Sequence, residues 1–414
     1  SPDMLLREAC RIGDRLVELA LKGRSEDQEG ATWLGMVLLK ETLWRILPLG
    51  IDLYNGLGGI VLFLAYLAKT SGEEKYSTLA RAALIMIRRQ QRKIESSLSM
   101  TGAFTGWGGL IYVYTHLYAL WKDPLLLEEA LECARQAGIH AGTDENYEVM
   151  YGNAGAVLAL NGLYEIHPSP DVLDSMQRGG RQILAQARPM ERGTGWIPKA
   201  LDCVPLAGFS HGASGIAAAL EVLYRRTGDE EYLRNAASAL EYERSLFSEE
   251  HGNWMDLRGH HVQSSEGDQP PLVNYPVAWC NGAPGVGLSR FRMPSLYDSA
   301  LRNEVRVAIA TTRSRGFGYT HSLCHGDLGN LEILVEARRA GWPLLEKGEV
   351  ERRASGILQG IRREGWVCGT PRGIETPGLM TGLAGIGYGF LRLYDPEGTP
   401  SVLLLDPPVQ PPVS

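Results

Sequence analysis

The chain has 414 residues, 44% hydrophobic and 21% charged, a composition ordinary for a folded soluble protein. Its formal net charge of −7 argues against nucleic acid or an anionic membrane as a partner. The longest apolar run, Ile60–Ala68, is stopped by Lys69 well short of the ~20 residues that a membrane span needs.

In chain order, one pattern keeps returning: a glycine, two or three residues, a glycine, then an apolar run. It reads NGLGGIVLFLAYL from Asn55, TGWGGLIYVYTHLYAL from Thr105, YGNAGAVLALNGLY from Tyr151 and SHGASGIAAALEVLY from Ser210. It continues as CNGAPGVGLSRF from Cys280, CHGDLGNLEILVEA from Cys324 and TGLAGIGYGFLRLY from Thr381. The seven leading glycines, at 56, 106, 152, 212, 282, 326 and 382, stand 44 to 70 residues apart. Each interval can hold two helices and their loops, and recurrence at this length marks a repeat architecture.

The segment after each motif is apolar on most faces, which predicts a buried helix. Between the motifs, Lys75–Gln90 and Asp123–Ala137 alternate apolar and charged positions at helical spacing, with Asp123 as N-cap and Pro124 in the first turn. Basic pairs such as Arg225–Arg226 and Arg362–Arg363 read as solvated helix faces. The expected fold is a single all-α domain over residues 1–414, with seven inner helices inside an outer ring. The glycines either let the inner helices pack tightly or gather the loops around a common cavity. The polar, proline-bearing insertion at residues 247–276 is the one place where small strands would not count against the all-helical reading, and loops of that length are usually functional or disordered.

Three copies carry chemistry in the turn. Cys280–Asn281–Gly282, Cys324–His325–Gly326 and Ser210–His211–Gly212 are equivalent, so the repeat brings Cys280, Cys324 and His325 to one mouth. Three such ligands with a fourth position open is the form of a catalytic zinc site. Six cysteines in so long a chain do not make a disulfide framework and fit reduced thiols in a cytoplasmic protein. Cys133 reads as core, and Cys10, Cys203 and Cys368 as ordinary thiols. His211 fits a fourth ligand, a general acid/base or a structural histidine. Glu148, ahead of the third motif, is placed to orient His211 or to be a surface charge. No kinase, P-loop, dinucleotide or nucleophile-elbow signature is present.

GFSHGASGIAAAL, AWCNGAPGVGLSR and CHGDLGNLEIL resemble the lanthionine synthetase C-like family, and the likeness covers essentially the whole chain. The first and last motifs are most similar to the C-terminal cyclase domain of class II lanthipeptide synthetases. The resemblance implies an α/α toroid with zinc (Zn2+) at its mouth. It implies an enzyme that adds cysteine thiols to dehydroalanine or dehydrobutyrine of a dehydrated precursor peptide, leader plus core, forming lanthionine or methyllanthionine thioethers. It implies Cys280, Cys324 and His325 as zinc ligands and His211 as acid/base.

This chain departs from the family pattern at three places. Glu148 stands where the carboxylate is usually Asp, and Asn281 stands where many members have His or Tyr. Pro276 lies near the place of an Arg in some members, for which Arg258, His260 or His261 could substitute. A full class II enzyme has an upstream kinase-like dehydratase region, so Ser1 is expected to begin a domain excised from a longer bifunctional synthetase. Two rival functions fit the same residues. One is a stand-alone enzyme of this fold that joins glutathione or a small thiol to an electrophile. The other is a non-catalytic, zinc-containing scaffold that binds peptides.

Overall fold

The computed structural model describes residues 2–25, 28–40, 43–201, 203–260, 272–343 and 345–409. Seven inner helices follow the seven motifs: α2 (Leu57–Ser71), α4 (Trp107–Trp121), α6 (Asn153–Ile166), α8 (Ala213–Thr227), α10 (Ala283–Arg290), α12 (Asp327–Arg339) and α14 (Leu383–Tyr394). In every case the leading glycine is the residue just before the helix. Each packs on the next, and α14 returns to α2. The outer ring is α1 (Pro2–Leu19), α3 (Glu74–Ile94), α5 (Pro124–His140), α7 (Pro170–Ala185), α9 (Glu230–Ser245), α11 (Ser299–Arg315) and α13 (Glu349–Glu364). Each inner helix pairs with the outer helix that follows it, except that α14 pairs with α1 and so closes the double ring.

Burial explains the division. Leu57 to Leu67 of α2 and Trp107 to Leu117 of α4 are buried without interruption, as expected of helices surrounded by protein. The outer helices bury one stripe each. α5 opens as its sequence predicts, with the Asp123 carboxylate accepting the Leu125 amide and Pro124 in the first turn. Cys133 lies in its buried stripe. The second glycine of each motif has a steric reason. A Cβ on Gly329 or Gly385 would fall inside the carbonyl oxygen of the residue six positions earlier, Leu323 or Leu379, and the same holds in the other five copies. Backbone thus approaches backbone where each turn enters its helix.

The opposite end of the inner ring is covered by the C-terminal segment. His116 of α4 meets the Asp406 carbonyl, and Arg292, just after α10, forms a bidentate pair with the half-buried Asp406 carboxylate at 2.6–2.7 Å. The Trp279 indole donates to the Leu403 carbonyl. At the glycine end His325 is exposed and Cys280 half-buried.

Three regions depart from a purely helical chain. β1 (Leu21–Ser25) pairs antiparallel with β2 (Gln28–Thr32), and β3 (Leu34–Lys40) with β4 (Leu43–Pro48), where no element was expected. Glycines at 23, 30 and 35 interrupt helix formation there, and the pairing brackets Trp33, which is buried and donates to the Leu16 carbonyl. The insertion does carry small strands: β7 (Phe247–Ser248) pairs with β8 (Asn253–Trp254), and Asp256 bridges Asn274. A fourth two-stranded pair joins β5 (Arg188–Pro189) to β6 (Thr194–Gly195). Among the described residues, no helix is long and apolar enough to cross a membrane.

Candidate metal centre

The seven turns before the inner helices, numbered 1 to 7 in chain order, are joined edge to edge by hydrogen bonds. The residue two before the leading glycine makes the link each time. Tyr54 N donates to Phe104 O (3.0 Å), Phe104 N to Met150 O (3.4 Å) and Met150 N to Ser210 O (3.1 Å). From turn 4 the Ser210 hydroxyl, in place of an amide, donates to Cys280 O (2.9 Å). Cys280 N donates to Cys324 O (3.2 Å), Cys324 N to Met380 O (2.9 Å), and Met380 N returns to Tyr54 O (2.7 Å). The circle fixes which side chains become neighbours.

Cys280 of turn 5 and Cys324 and His325 of turn 6 fall together, with their ligand atoms all within 4.8 Å of one another. No other such cluster of His, Cys, Asp or Glu stands among the described residues. His325 Nε2 faces the Gly369 carbonyl at 3.1 Å; as the donor there, it leaves Nδ1 a lone pair to offer. Turn 5 needs glycine at its lead, since Gly282 has φ of +107° and a Cβ there would collide with the Pro276 carbonyl. Asn253, from the insertion, pins this turn: its Nδ2 donates to Pro276 O (2.8 Å) and its oxygen accepts the Ala283 amide at the start of α10 (2.8 Å).

The two thiols separate in acidity. Cys280 is pushed down to about 6, first by a hydrogen bond from Cys324 and further by the nearby charges of His325, Arg258 and His211, against the cost of burial. Cys324 moves well up, because it holds the shared proton and is buried. The site thus carries one thiolate readily and is electropositive around it.

Around this cluster stand the other predicted residues. His211 Nδ1 lies 3.3 Å from Glu148 Oε2, and Tyr151 stacks on the imidazole with ring centroids 5.5 Å apart. Glu148 is buried, not a surface charge; its carboxylate accepts the amides of Met150 (2.6 Å) and Tyr151 (2.9 Å). Of the three basic residues considered as substitutes for the missing Arg, Arg258 reaches the centre. The Asn281 amide, turned so that its oxygen faces the guanidinium, accepts from Arg258 at 2.8 Å while its nitrogen donates to Cys280 O at 3.2 Å. Asp256 holds the same guanidinium at 2.7 Å. His260 is tied by its carbonyl to Val204 N, and His261 lies outside the described residues. Cys10, Cys133, Cys203 and Cys368 stand apart from the cluster.

Sequence reading passed over Tyr54. Its hydroxyl donates to Cys324 Sγ at 3.1 Å. Burial, then the two neighbouring thiols, push the phenol well up, so it stays protonated as a donor. The signal was available: Tyr54 holds the same place before its glycine as Cys280 and Cys324 hold before theirs. Gly369 was also missed, because it belongs to no motif and matters only through its contact with His325.

Comparison with known proteins agrees with this architecture. The lacticin 481/lactococcin biosynthesis protein LcnDR2 of Lactococcus lactis subsp. lactis is 30% identical over 213 residues, covering 48% of this chain and 22% of that protein. The chain therefore matches about a fifth of that relative's length. Nisin cyclase, a solved structure, superposes with a TM-score of 0.58 over 86% of this chain and 92% of its own, at 16% identity, a likeness of fold. An unsaturated glucuronyl hydrolase from Bacillus sp. GL1 reaches a TM-score of 0.46 at 11% identity over 77% of this chain and 86% of its own, too weak to bear on chemistry. Residues 48–404, which hold all seven turns and the metal-ligand cluster, match the model for lanthionine synthetase C-like protein, and the chain belongs to that family.

Proposed function

We propose that this chain is a zinc-dependent lanthionine cyclase, acting on a precursor peptide whose Ser and Thr residues have been dehydrated. The observation that supports it most is the convergence of Cys280, Cys324 and His325 from two adjacent turns at the glycine end of the inner ring, with ligand atoms within 4.8 Å. The set fits the metal. Tetrahedral zinc keeps sulfur ligands about 3.8 Å apart, and two thiolates with one imidazole are donors that catalytic zinc uses. Cys280, Cys324 and His325 would hold the zinc, which would supply the Lewis acidity that favours the thiolate form of a peptide cysteine.

The protein's own groups then handle the proton and the charge. Addition of sulfur to the β-carbon consumes the C=C bond and leaves an enolate, which must gain one proton at Cα to replace the one lost by the thiol. Glu148 Oε2 faces His211 Nδ1 at 3.3 Å and Tyr151 stacks on the ring, which leaves Nε2 as the atom to accept and return a proton. Arg258, locked by Asp256 beside Asn281 and close to both cysteines, is a preorganised cation for the oxygen on which enolate charge develops.

Metal analysis and peptide turnover test this together. Wild type is expected to hold one zinc per chain, and Cys324→Ala to lose it. With pre-dehydrated peptide, alkylation followed by mass spectrometry should show free thiols disappearing faster with the metal-loaded protein than with the metal-free protein or with peptide alone. Full zinc after Cys324→Ala would sink the site. Full zinc in wild type without thiol loss would return the chain to a peptide-binding scaffold.

A further inference from the structure

Tyr54 sits in turn 1 at the place that Cys280 and Cys324 hold in turns 5 and 6. Its phenol passes turn 7 to reach Cys324 Sγ at 3.1 Å. The ring is held edge-on against Phe104, with centroids 6.3 Å apart at 83°. Its backbone is bound on both sides, the amide to Phe104 O and the carbonyl by Met380 N. The hydroxyl is thus aimed by the closed circle of turns. The two cysteines are treated unequally. Cys324 receives the phenol's hydrogen bond, whereas the Arg258 charge acts on both sulfurs.

A hydrogen bond to a thiolate draws electron density from sulfur, and outer partners of this kind tune what a ligand gives to its metal. We propose that Tyr54 is a positioning residue of the metal centre, whose O–H···S bond makes Cys324 the weaker electron donor of the two cysteines and leaves the centre more acidic toward an incoming thiol. The inference rests on the zinc reading above. Tyr54 need touch neither substrate nor metal. Its effect runs through one sulfur, so it should be visible in the electronic structure of that sulfur whether or not peptide is present.

Cobalt(II) in place of zinc makes the sulfur-to-metal charge transfer visible in the near ultraviolet. Tyr54→Phe keeps the aromatic contact with Phe104 and removes the hydroxyl. In cobalt-loaded Tyr54→Phe the band is expected to move to lower energy than in wild type, with one cobalt per chain and an unchanged far-ultraviolet dichroism spectrum. Placing 3-fluorotyrosine at position 54, a stronger donor of the same shape, should move it the opposite way. Bands that superimpose in wild type and both replacements would overturn the inference, even if Tyr54→Phe lost stability or rate. Wild-type protein that shows no sulfur-to-cobalt band would overturn the metal reading itself and this inference with it.

Discussion

His211 and Glu148 face each other from neighbouring turns, Nδ1 to Oε2 at 3.3 Å, with the Glu148 side chain 1% exposed. A carboxylate so buried stays only because it is bound; here two backbone amides and an imidazole surround it. The proposed function gives His211 a role in the chemistry and none in holding the metal. His211→Asn should keep its zinc and lower the rate of ring formation about 100-fold, the low end for an acid–base group, because dehydroalanine reacts appreciably with thiols unaided. Mass spectrometry of the alkylated product should also show an altered ring pattern. Zinc lost with His211 would make it a ligand, and an unchanged rate would make it structural.

Gly369 abuts the metal centre from behind. A Cβ there would lie 2.8 Å from His325 Nε2 and 2.7 Å from Ser322 Oγ, so the imidazole would have to give way. Loss of an outer partner of a ligating histidine typically weakens metal affinity about 10- to 100-fold. Gly369→Ala should show a weakening of that size in competition with a chromophoric chelator while remaining folded. Undiminished affinity would mean that the His325–Gly369 contact does not orient the ring.

Arg258 is held ready by Asp256 and Asn281. A charged hydrogen bond of this kind contributes about 1.5–3 kcal/mol, so Arg258→Ala should reduce kcat/KM about 10- to 100-fold at constant zinc content. Single-turnover kinetics on a pre-dehydrated peptide would measure it. A variant as fast as wild type would leave Arg258 as a brace for the insertion.

His116 makes acid stability a property of the closed end of the barrel. Burial pushes its imidazole down to about 3, although the Asp406 carbonyl favours the charged form. Between about pH 6.5 and 3 the unfolded chain binds a proton there that the folded chain does not. Stability therefore falls as pH falls, by about 1.4 kcal/mol per unit from this group alone. Urea unfolding of metal-free protein at pH 6.5, 5.5 and 4.5 should give a steeper decline for wild type than for His116→Gln. Parallel declines would place the proton elsewhere.

Much of this architecture could be read from one column of residues. The spacing of Gly56 through Gly382 specified the inner helices because backbone contact tolerates no side chain at the second glycine. The same column lined up Cys280 and Cys324, since equivalent turns in a ring become neighbours. What escaped was whatever depends on reach across the ring or on segments outside the repeat. Tyr54 looked bland because an aromatic residue in an apolar chain is usually core. Arg258 could not be separated from His260 and His261 until the insertion was folded. The paired strands β3 and β4 expose Leu38 and Ile46, so an inside–outside pattern did not announce them.

The circle of turns has a consequence for how the ligands keep their distance. In an open stack of repeats, the separation of two residues is set by the segment between them and drifts when an end frays. Here Cys280 and Cys324 are bonded directly through backbone and also joined the long way round, through turns 7, 1, 2, 3 and 4. Their spacing is a property of the circumference of the whole protein. A change in any turn, even one without chemistry such as Phe104 or Met150, is passed to both neighbours and must be absorbed by the loop as a whole. Substitutions far from the cysteines should therefore be read as adjustments to the gauge of the metal pocket.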